Sequence, residues 1–532
     1  LENSAEHLPV SETQAATNAG VARATGVLAL GNIASRVLGL AREIALTNLF
    51  GASRAVDAFN YAILVPKTLY DLLIAGHVNS AIIPVLSEVI TREGAGAFWR
   101  LVSILVSMIT VLGSGIALLL IGFAPHVIGV ISSGSDAPTQ TLAADLLRWI
   151  APALLFLSLF AVLSGALYAL RAFSLPAFAG AIFNGGVVLA TISFAPTLGI
   201  HAAALGWLIG ALAQLTLLVP GLWRGGGGLR LTIDWRSPAV RRIALLYAPV
   251  LASLVIDTFV RTFSYNLASQ TGVGSVSYMN WATTLIQFPQ GLVATAISIA
   301  ILPTLSRQAV ARDADGERAF KATLGLGLRL SITLMIPAVV GLFVLAIPII
   351  RLIFEHGAFN PVDTQITALA LRLYLVGLPF AAVDLLLVYA FYARQDTLTP
   401  ALIGLISLVV YTLVAVTLLP MYGLFSLMIA DSVKHITHTL LCGLILSLRL
   451  RGLGDQRLVI TLVKTGLAAA LMALAVVISE PVFERMIGTE TLIEEIALVA
   501  LTGGVAIGVF SAAAVVLRVQ EFRSLFRLIR RR

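Results

Sequence analysis

Charge is scarce in this sequence. Only 12% of its 532 residues are Asp, Glu, Lys or Arg, about half the share found in soluble domains. Cysteine is scarcer still. Cys442 is the only one and lies in an apolar run, which excludes a disulfide framework and a cysteine-based metal site. There is no Walker lysine loop, no HExxH helix and no paired-carboxylate motif, so ATPase or hydrolase chemistry has no visible seat. No cleavable signal peptide is evident. What is abundant is apolar surface: 58% of residues are hydrophobic and the mean hydropathy is +0.96. The expected fold is therefore an all-α polytopic membrane protein. The net charge of +8 would suggest nucleic acid in a soluble chain, but the positive-inside rule accounts for it here, and no nucleic acid partner is expected.

A span needs about 20 apolar residues. Fourteen are predicted: roughly 24–49, 55–90, 98–124, 140–170, 175–195, 200–222, 239–268, 274–306, 321–346, 364–393, 399–419, 423–448, 457–479 and 490–517. The segment 274–306 is expected to bend at Pro289 or Gly291. Alternate loops are basic, for example Arg224, Arg230, Arg236, Arg241 and Arg242, and the tail Arg523–Arg532 joins them. The other loops hold little beyond Arg54 and Arg485. Both termini are thus expected in the cytoplasm.

An internal repeat organises the spans. Ile82-Ile83-Pro84-Val85-Leu86-Ser87 matches Ile301-Leu302-Pro303-Thr304-Leu305-Ser306, about 219 residues later. Tyr168-Ala169, Pro176-Ala177, Pro196 and Gly199 match Tyr392-Ala393, Pro400-Ala401, Pro420 and Gly423, offset by about 224. Each copy holds six spans, so the copies are parallel, as in transporters with a central site between two lobes. The reading is a disordered cytoplasmic tail over 1–22, an N-terminal lobe over 23–222, a cytoplasmic linker with a Gly225–Gly228 run over 223–238, a C-terminal lobe over 239–448, and two further spans with a basic tail over 449–532.

Charges inside spans are costly, about 2.5–3.5 kcal/mol each on insertion scales, and mark functional cavities. Arg36, Arg42 and Glu43 fall in the first span, with Arg36 and Glu43 two turns apart on nearly one face. The second span carries Asp57, Asn60, Tyr61, Thr68 and Asp71 on one broad face, read as a wet cavity wall. Lys67 is spaced to pair with Asp71, and Asp257 with Arg261. Asp384 lies deep in the tenth span, with Lys434 or Arg372 as candidate partners, and either Asp257 or Asp384 is a candidate Na⁺ or proton site. Lys434, His435 and His438 lie in the twelfth span; the histidines read as hydrogen-bonded interface residues, not as a metal site.

Ser35-Arg36-Val37-Leu38-Gly39-Leu40-Ala41-Arg42, followed by Asp57-Ala58-Phe59, resembles the first two helices of the MurJ (MviN) family of lipid II flippases. Gln287-Phe288-Pro289-Gln290-Gly291, Phe354-Glu355-His356-Gly357-Ala358-Phe359 and Phe391-Tyr392-Ala393-Arg394-Gln395-Asp396-Thr397-Leu398-Thr399-Pro400 extend the resemblance. It implies about fourteen helices, as two parallel six-helix lobes around a central cavity plus two C-terminal helices lining a lipid-tail groove. It implies a transporter rather than an enzyme, in the bacterial cytoplasmic membrane. The substrate would be lipid II, the undecaprenyl-diphosphate-linked precursor of the peptidoglycan cell wall, with membrane lipids and cell-wall synthesis proteins as further partners. No cofactor is implied beyond Na⁺ or H⁺ coupling and the membrane potential. The family's cavity cations and acid carry over to Arg36, Arg42 and Asp57. Other family arginines do not: Tyr70 and Asp71, Thr283 and Thr284, and Tyr265 stand in their places, with Arg261 one turn before Tyr265. Arg36, Arg42, Lys67 and Arg261 would hold the diphosphate, and Asp57 would position the arginines. The alternatives are an exporter of another polyprenyl-diphosphate glycan, a cation-coupled drug antiporter, a membrane transferase, or a scaffold that binds the lipid precursor.

Overall fold

The computed structural model describes the backbone of residues 10–72, 81–226, 228–310 and 314–522, and their side chains except at 10–25, 248–253, 256–257, 299 and 314. Nineteen α-helices are found among the described residues, falling in two compact units. Unit 1 runs to Asn266, less Gly51–Ser53, and unit 2 takes the remainder. Unit 1 holds α1 (Val10–Phe50), α2 (Arg54–Tyr70), α3 (Ile83–Arg92), α4 (Gly94–Ile131), α5 (Ala137–Ile150), α6 (Ala153–Ala169), α7 (Ser174–Leu198), α8 (His201–Thr216), α9 (Val219–Arg224) and nearly all of α10 (Pro238–Ser269). Unit 2 holds α11 (Ser275–Pro289), α12 (Ala296–Val310), α13 (Ala314–Val344), α14 (Ala346–Phe354), α15 (Pro361–Ala393), α16 (Leu398–Tyr422), α17 (Phe425–Arg449), α18 (Leu458–Ile487) and α19 (Leu492–Val516).

Among the described residues, nine helices are long and apolar enough to cross a membrane, and the bent pair α5–α6 makes a tenth. The other four predicted spans correspond to α1, to α2 with α3, to α10 and to α17. These are the segments that carry Arg36, Arg42, Glu43, Asp57, Lys67, Arg261, Asp431 and Lys434. Residues 10–22, expected to be disordered, are helical and continuous with α1. The stretch has no proline and four alanines against the single Gly20, a composition that a helix accommodates. The basic tail 523–532 lies outside the described residues.

The repeat is visible in the backbone. α16 starts and ends 224 positions after α7, and α17 starts 224 after α8. Arg171 and Gln395, the same distance apart, both adopt positive φ, at 60° and 61°. Gly199 and Gly423 close α7 and α16 at φ 55°, ψ −136° and φ 51°, ψ −130°, a region open in practice only to glycine. The earlier offset recurs too. The helix widens to a π turn at Asp71–Leu72, and again at Gln290–Thr295, beginning 219 positions later. The expected bend near Pro289 and Gly291 is thus a π turn between α11 and α12.

Small residues let the helices approach, as in lipid, where apolar burial gives little drive. A Cβ on Gly210 would lie 2.5 Å from the Phe183 carbonyl oxygen, and one on Gly31 would meet Ala177 at 2.2 Å. The apolar core of unit 1 gathers α3, α4 and α6 around Leu86, Phe98 and Leu167. That of unit 2 gathers α13, α15 and α17 around Leu324, Phe391 and Leu446. At the α15–α16 turn, Asp396 accepts from the Thr399 amide at 2.9 Å and hydroxyl at 2.6 Å, and pairs with Arg449. Burial opposes its charge, but these donors win and hold its carboxyl down at about 2.

Candidate functional site: an intramembrane cationic group

The SRVLGLAR stretch lies in the C-terminal half of α1 and faces α7. Asn184 of α7 is the bridge. Its amide donates to the Ser35 carbonyl at 3.2 Å and to Gly180 at 3.0 Å, while its Oδ1 accepts from Arg42 Nη1 at 3.0 Å. Gly39 lies on the same face of α1: a Cβ there would sit 3.5 Å from the Asn184 amide nitrogen, an ordinary van der Waals contact. Glu43 takes two further donors of Arg42, from Nε at 3.2 Å and Nη2 at 2.6 Å. Three of the five guanidinium N–H groups are then engaged, leaving one on each terminal nitrogen.

Two more cations belong to this neighbourhood. Lys67 of α2 lies within electrostatic reach of Arg42, Glu43, Asp71 and Arg261. Arg261 of α10 reaches Asp71 at 3.5 Å. Counted at their ordinary charges, three cations accompany two carboxylates, a formal surplus of one positive charge. Lys67 is solvent-exposed in the protein alone, and Arg42 keeps 23% of its side-chain surface.

The structure brings together Arg42, Lys67 and Arg261, with partners that spacing along each helix did not give. The acid on Arg42 is Glu43, not Asp57, and Glu43 follows it directly rather than answering Arg36. Asp71 pairs with Arg261 of another helix, not with Lys67 one turn back. Arg36 is exposed on α1, and Asp57 is buried on α2. Asn60, Tyr61 and Thr68 are also buried, so the polar face of α2 is packed rather than a wet wall, open only at its Lys67–Asp71 end. Tyr265 packs edge-on against Tyr61, centroids 6.3 Å apart. The Asp257 side chain lies outside the described residues. In unit 2, Asp384 pairs with His438 at 2.7 Å rather than with a stronger base. Lys434 is taken by Asp431 at 2.5 Å, and Arg372 donates to the Phe343 carbonyl at 3.0 Å. Asn184 escaped the sequence reading. Its one signal was an amide in the apolar run Ala181-Ile182-Phe183-Asn184-Gly185-Gly186.

Residues 46–498 match the family described as lipid II flippase MurJ. The chain belongs to the MurJ lipid II flippase family. It is 34% identical over 430 residues to the lipid II flippase MurJ of Burkholderia cenocepacia, covering 79% of this chain and 82% of the relative. It is 33% identical over 414 residues to the probable MurJ of Vibrio cholerae, covering 75% and 78%. A solved lipid II flippase MurJ in an inward closed conformation superimposes with a TM-score of 0.76 at 22% identity, over 94% of this chain and 99% of that one. An inward-facing multidrug MATE transporter of the MOP superfamily gives 0.66 at 15% identity, over 79% and 96%. The chain thus shares an all-helical fold with both solved proteins, and as a member of the flippase family it is a multi-pass membrane transporter, not an enzyme.

Proposed function

We propose that this MurJ-family lipid II flippase carries the diphosphate of lipid II across the membrane on Arg42, with Lys67, Arg261 and Arg36 as further cations. The observation that carries the reading is the state of Arg42. Glu43 and Asn184 fix its plane, and both terminal nitrogens keep a free donor. A planar, permanently charged fork suits a phosphate, which accepts two parallel hydrogen bonds. The surplus of one cation in the group favours an anion. Glu43 also offers release: it competes for the same guanidinium once the lipid headgroup turns outward. Asp57 acts here through the packing of α2.

The wider architecture belongs to the same proposal. The ten apolar spans and the four charged ones make fourteen, as two six-helix repeats plus α18 and α19. The basic alternate loops put both termini in the cytoplasm of a bacterium, with the protein in its cytoplasmic membrane. Alternating access would move the headgroup outward in peptidoglycan synthesis. A membrane potential negative inside favours outward passage of negative charge by about 2.3 kcal/mol per charge per 100 mV. Coupling to Na⁺ or H⁺ through an intramembrane carboxylate such as Asp257, and contact with cell-wall synthesis proteins, complete it. Because Tyr70, Asp71, Thr283 and Thr284 occupy places where family arginines are common, export of another polyprenyl-diphosphate glycan is the second reading. Depletion separates the two. Lipid II accumulating on the inner leaflet supports the proposal; normal lipid II exposure with a different lipid-linked glycan accumulating contradicts it.

A further inference from the structure

Unit 2 contains a second polar cluster, independent of the cationic group. Asp384 Oδ1 of α15 lies 2.7 Å from His438 Nδ1 of α17, and Cys442 Sγ, one turn further along α17, lies 3.6 Å from the same nitrogen. The three ligand atoms all fall within 4.8 Å of one another. Cys442 is fully buried, while Asp384 and His438 keep 16% and 15% of their side-chain surface. The other side of the imidazole is turned to α16, where Nε2 lies 3.9 Å from the position a Cβ on Gly404 would take. In the tautomer protonated at Nε2, Nδ1 presents its lone pair towards Asp384 and Cys442. A carboxylate, that lone pair and a sulfur then converge, an arrangement that requires a proton or a metal cation between them.

We propose that Asp384, His438 and Cys442 bind one divalent transition-metal ion of the zinc class, joining α15 to α17. Zinc sits about 2.3 Å from sulfur and 2.0–2.1 Å from nitrogen, so a tetrahedral site separates the two ligands by about 3.6 Å. The observed Sγ–Nδ1 spacing is 3.6 Å. The Asp384 carboxylate need only withdraw by about 0.6 Å to reach the corresponding N–O spacing. The protons that leave are those of the Cys442 thiol and of the Asp384–His438 hydrogen bond, both released to solvent as the metal binds. Nitrogen and sulfur ligands select a borderline-soft ion over Na⁺, Mg²⁺ or Ca²⁺. The site therefore removes Asp384 from the Na⁺-coupling candidates and assigns Cys442 to a ligand set that its isolation in the sequence did not suggest.

The single cysteine makes the test clean. Full-length, tag-free protein in detergent is treated with chelator and titrated with Co²⁺, which gives a thiolate-to-cobalt charge-transfer band only when sulfur binds. The expected result is a band saturating at a single Co²⁺ per chain and displaced by Zn²⁺. Cys442→Ser removes it, and His438→Gln weakens binding by at least about tenfold. No band in the wild-type protein at saturating Co²⁺, including the case in which only protons or Na⁺ bind, overturns the proposal without recourse to any variant. A band that survives His438→Gln with unchanged affinity overturns the ligand set. Either failure leaves lipid II transport, measured separately, unaffected.

Discussion

Arg42 needs two neighbours to be useful in a membrane. Glu43 lowers the cost of keeping its charge there, and Asn184 holds the plane from the opposite helix. Hydrogen bonds to charged groups contribute about 1.5–3 kcal/mol, and about 1.4 kcal/mol is tenfold in rate. Asn184→Leu is therefore expected to slow lipid II translocation by about tenfold or more at unchanged protein level, measured by flipping in proteoliposomes. Wild-type flipping by that variant would remove Asn184 from the site. A second residue-scale prediction concerns Asp396. Its carboxyl is held at about 2, below the usual value of about 3.9. The folded state gains from this ionisation above about pH 4 and loses the gain as pH falls through about 2. Asp396→Asn should thus lower the melting temperature at neutral pH, with the difference from wild type shrinking as the pH is lowered from about 5 towards 2. Parallel pH profiles for the two proteins would contradict it.

At the scale of helices, close approach sets the tolerance to change. A Cβ on Gly377 of α15 would lie 2.6 Å from the Ser432 Cα of α17, and the Ser432 hydroxyl already bridges to the Gly377 amide at 3.0 Å and the Leu373 carbonyl at 2.6 Å. Backbone cannot yield as a flexible side chain does. Gly377→Ala is expected to destabilise unit 2 by about 1–3 kcal/mol, seen as a lower melting temperature in detergent; no change would mean that α15 and α17 are more loosely packed than described. Helices were the most legible part of the sequence. Apolar length marks ten spans, and the matched prolines and glycines mark a repeat that the backbone reproduces at Gly199 and Gly423. Partner choice was not legible. Spacing along one helix ranks neighbours on that helix, so it offered Lys67 for Asp71 and Asp257 for Arg261. The packing of α10 gave Asp71 and Arg261 to each other. In the same way Asn184 reaches Arg42 across 142 positions of sequence, a distance at which periodicity carries no information.

Over the whole molecule, two features belong together. The long helices expose many large apolar side chains, and two groups of ionisable side chains lie among them, one in unit 1 around Arg42 and one in unit 2 around α17. A transporter for an anion at the end of a long hydrocarbon tail needs both: apolar walls for the tail and a small cationic patch for the headgroup. If the patch binds the diphosphate, its loss must abolish transport without disturbing the fold. The direct measurement is the amount of lipid II exposed at the outer face of cells whose only flippase is Arg42→Ala, compared with Arg42→Lys and wild type at matched protein levels. Exposure should fall at least about tenfold with alanine, and lysine should recover only part of it, because a point charge does not make the paired contacts of the guanidinium. Wild-type exposure with alanine at position 42 would contradict the account.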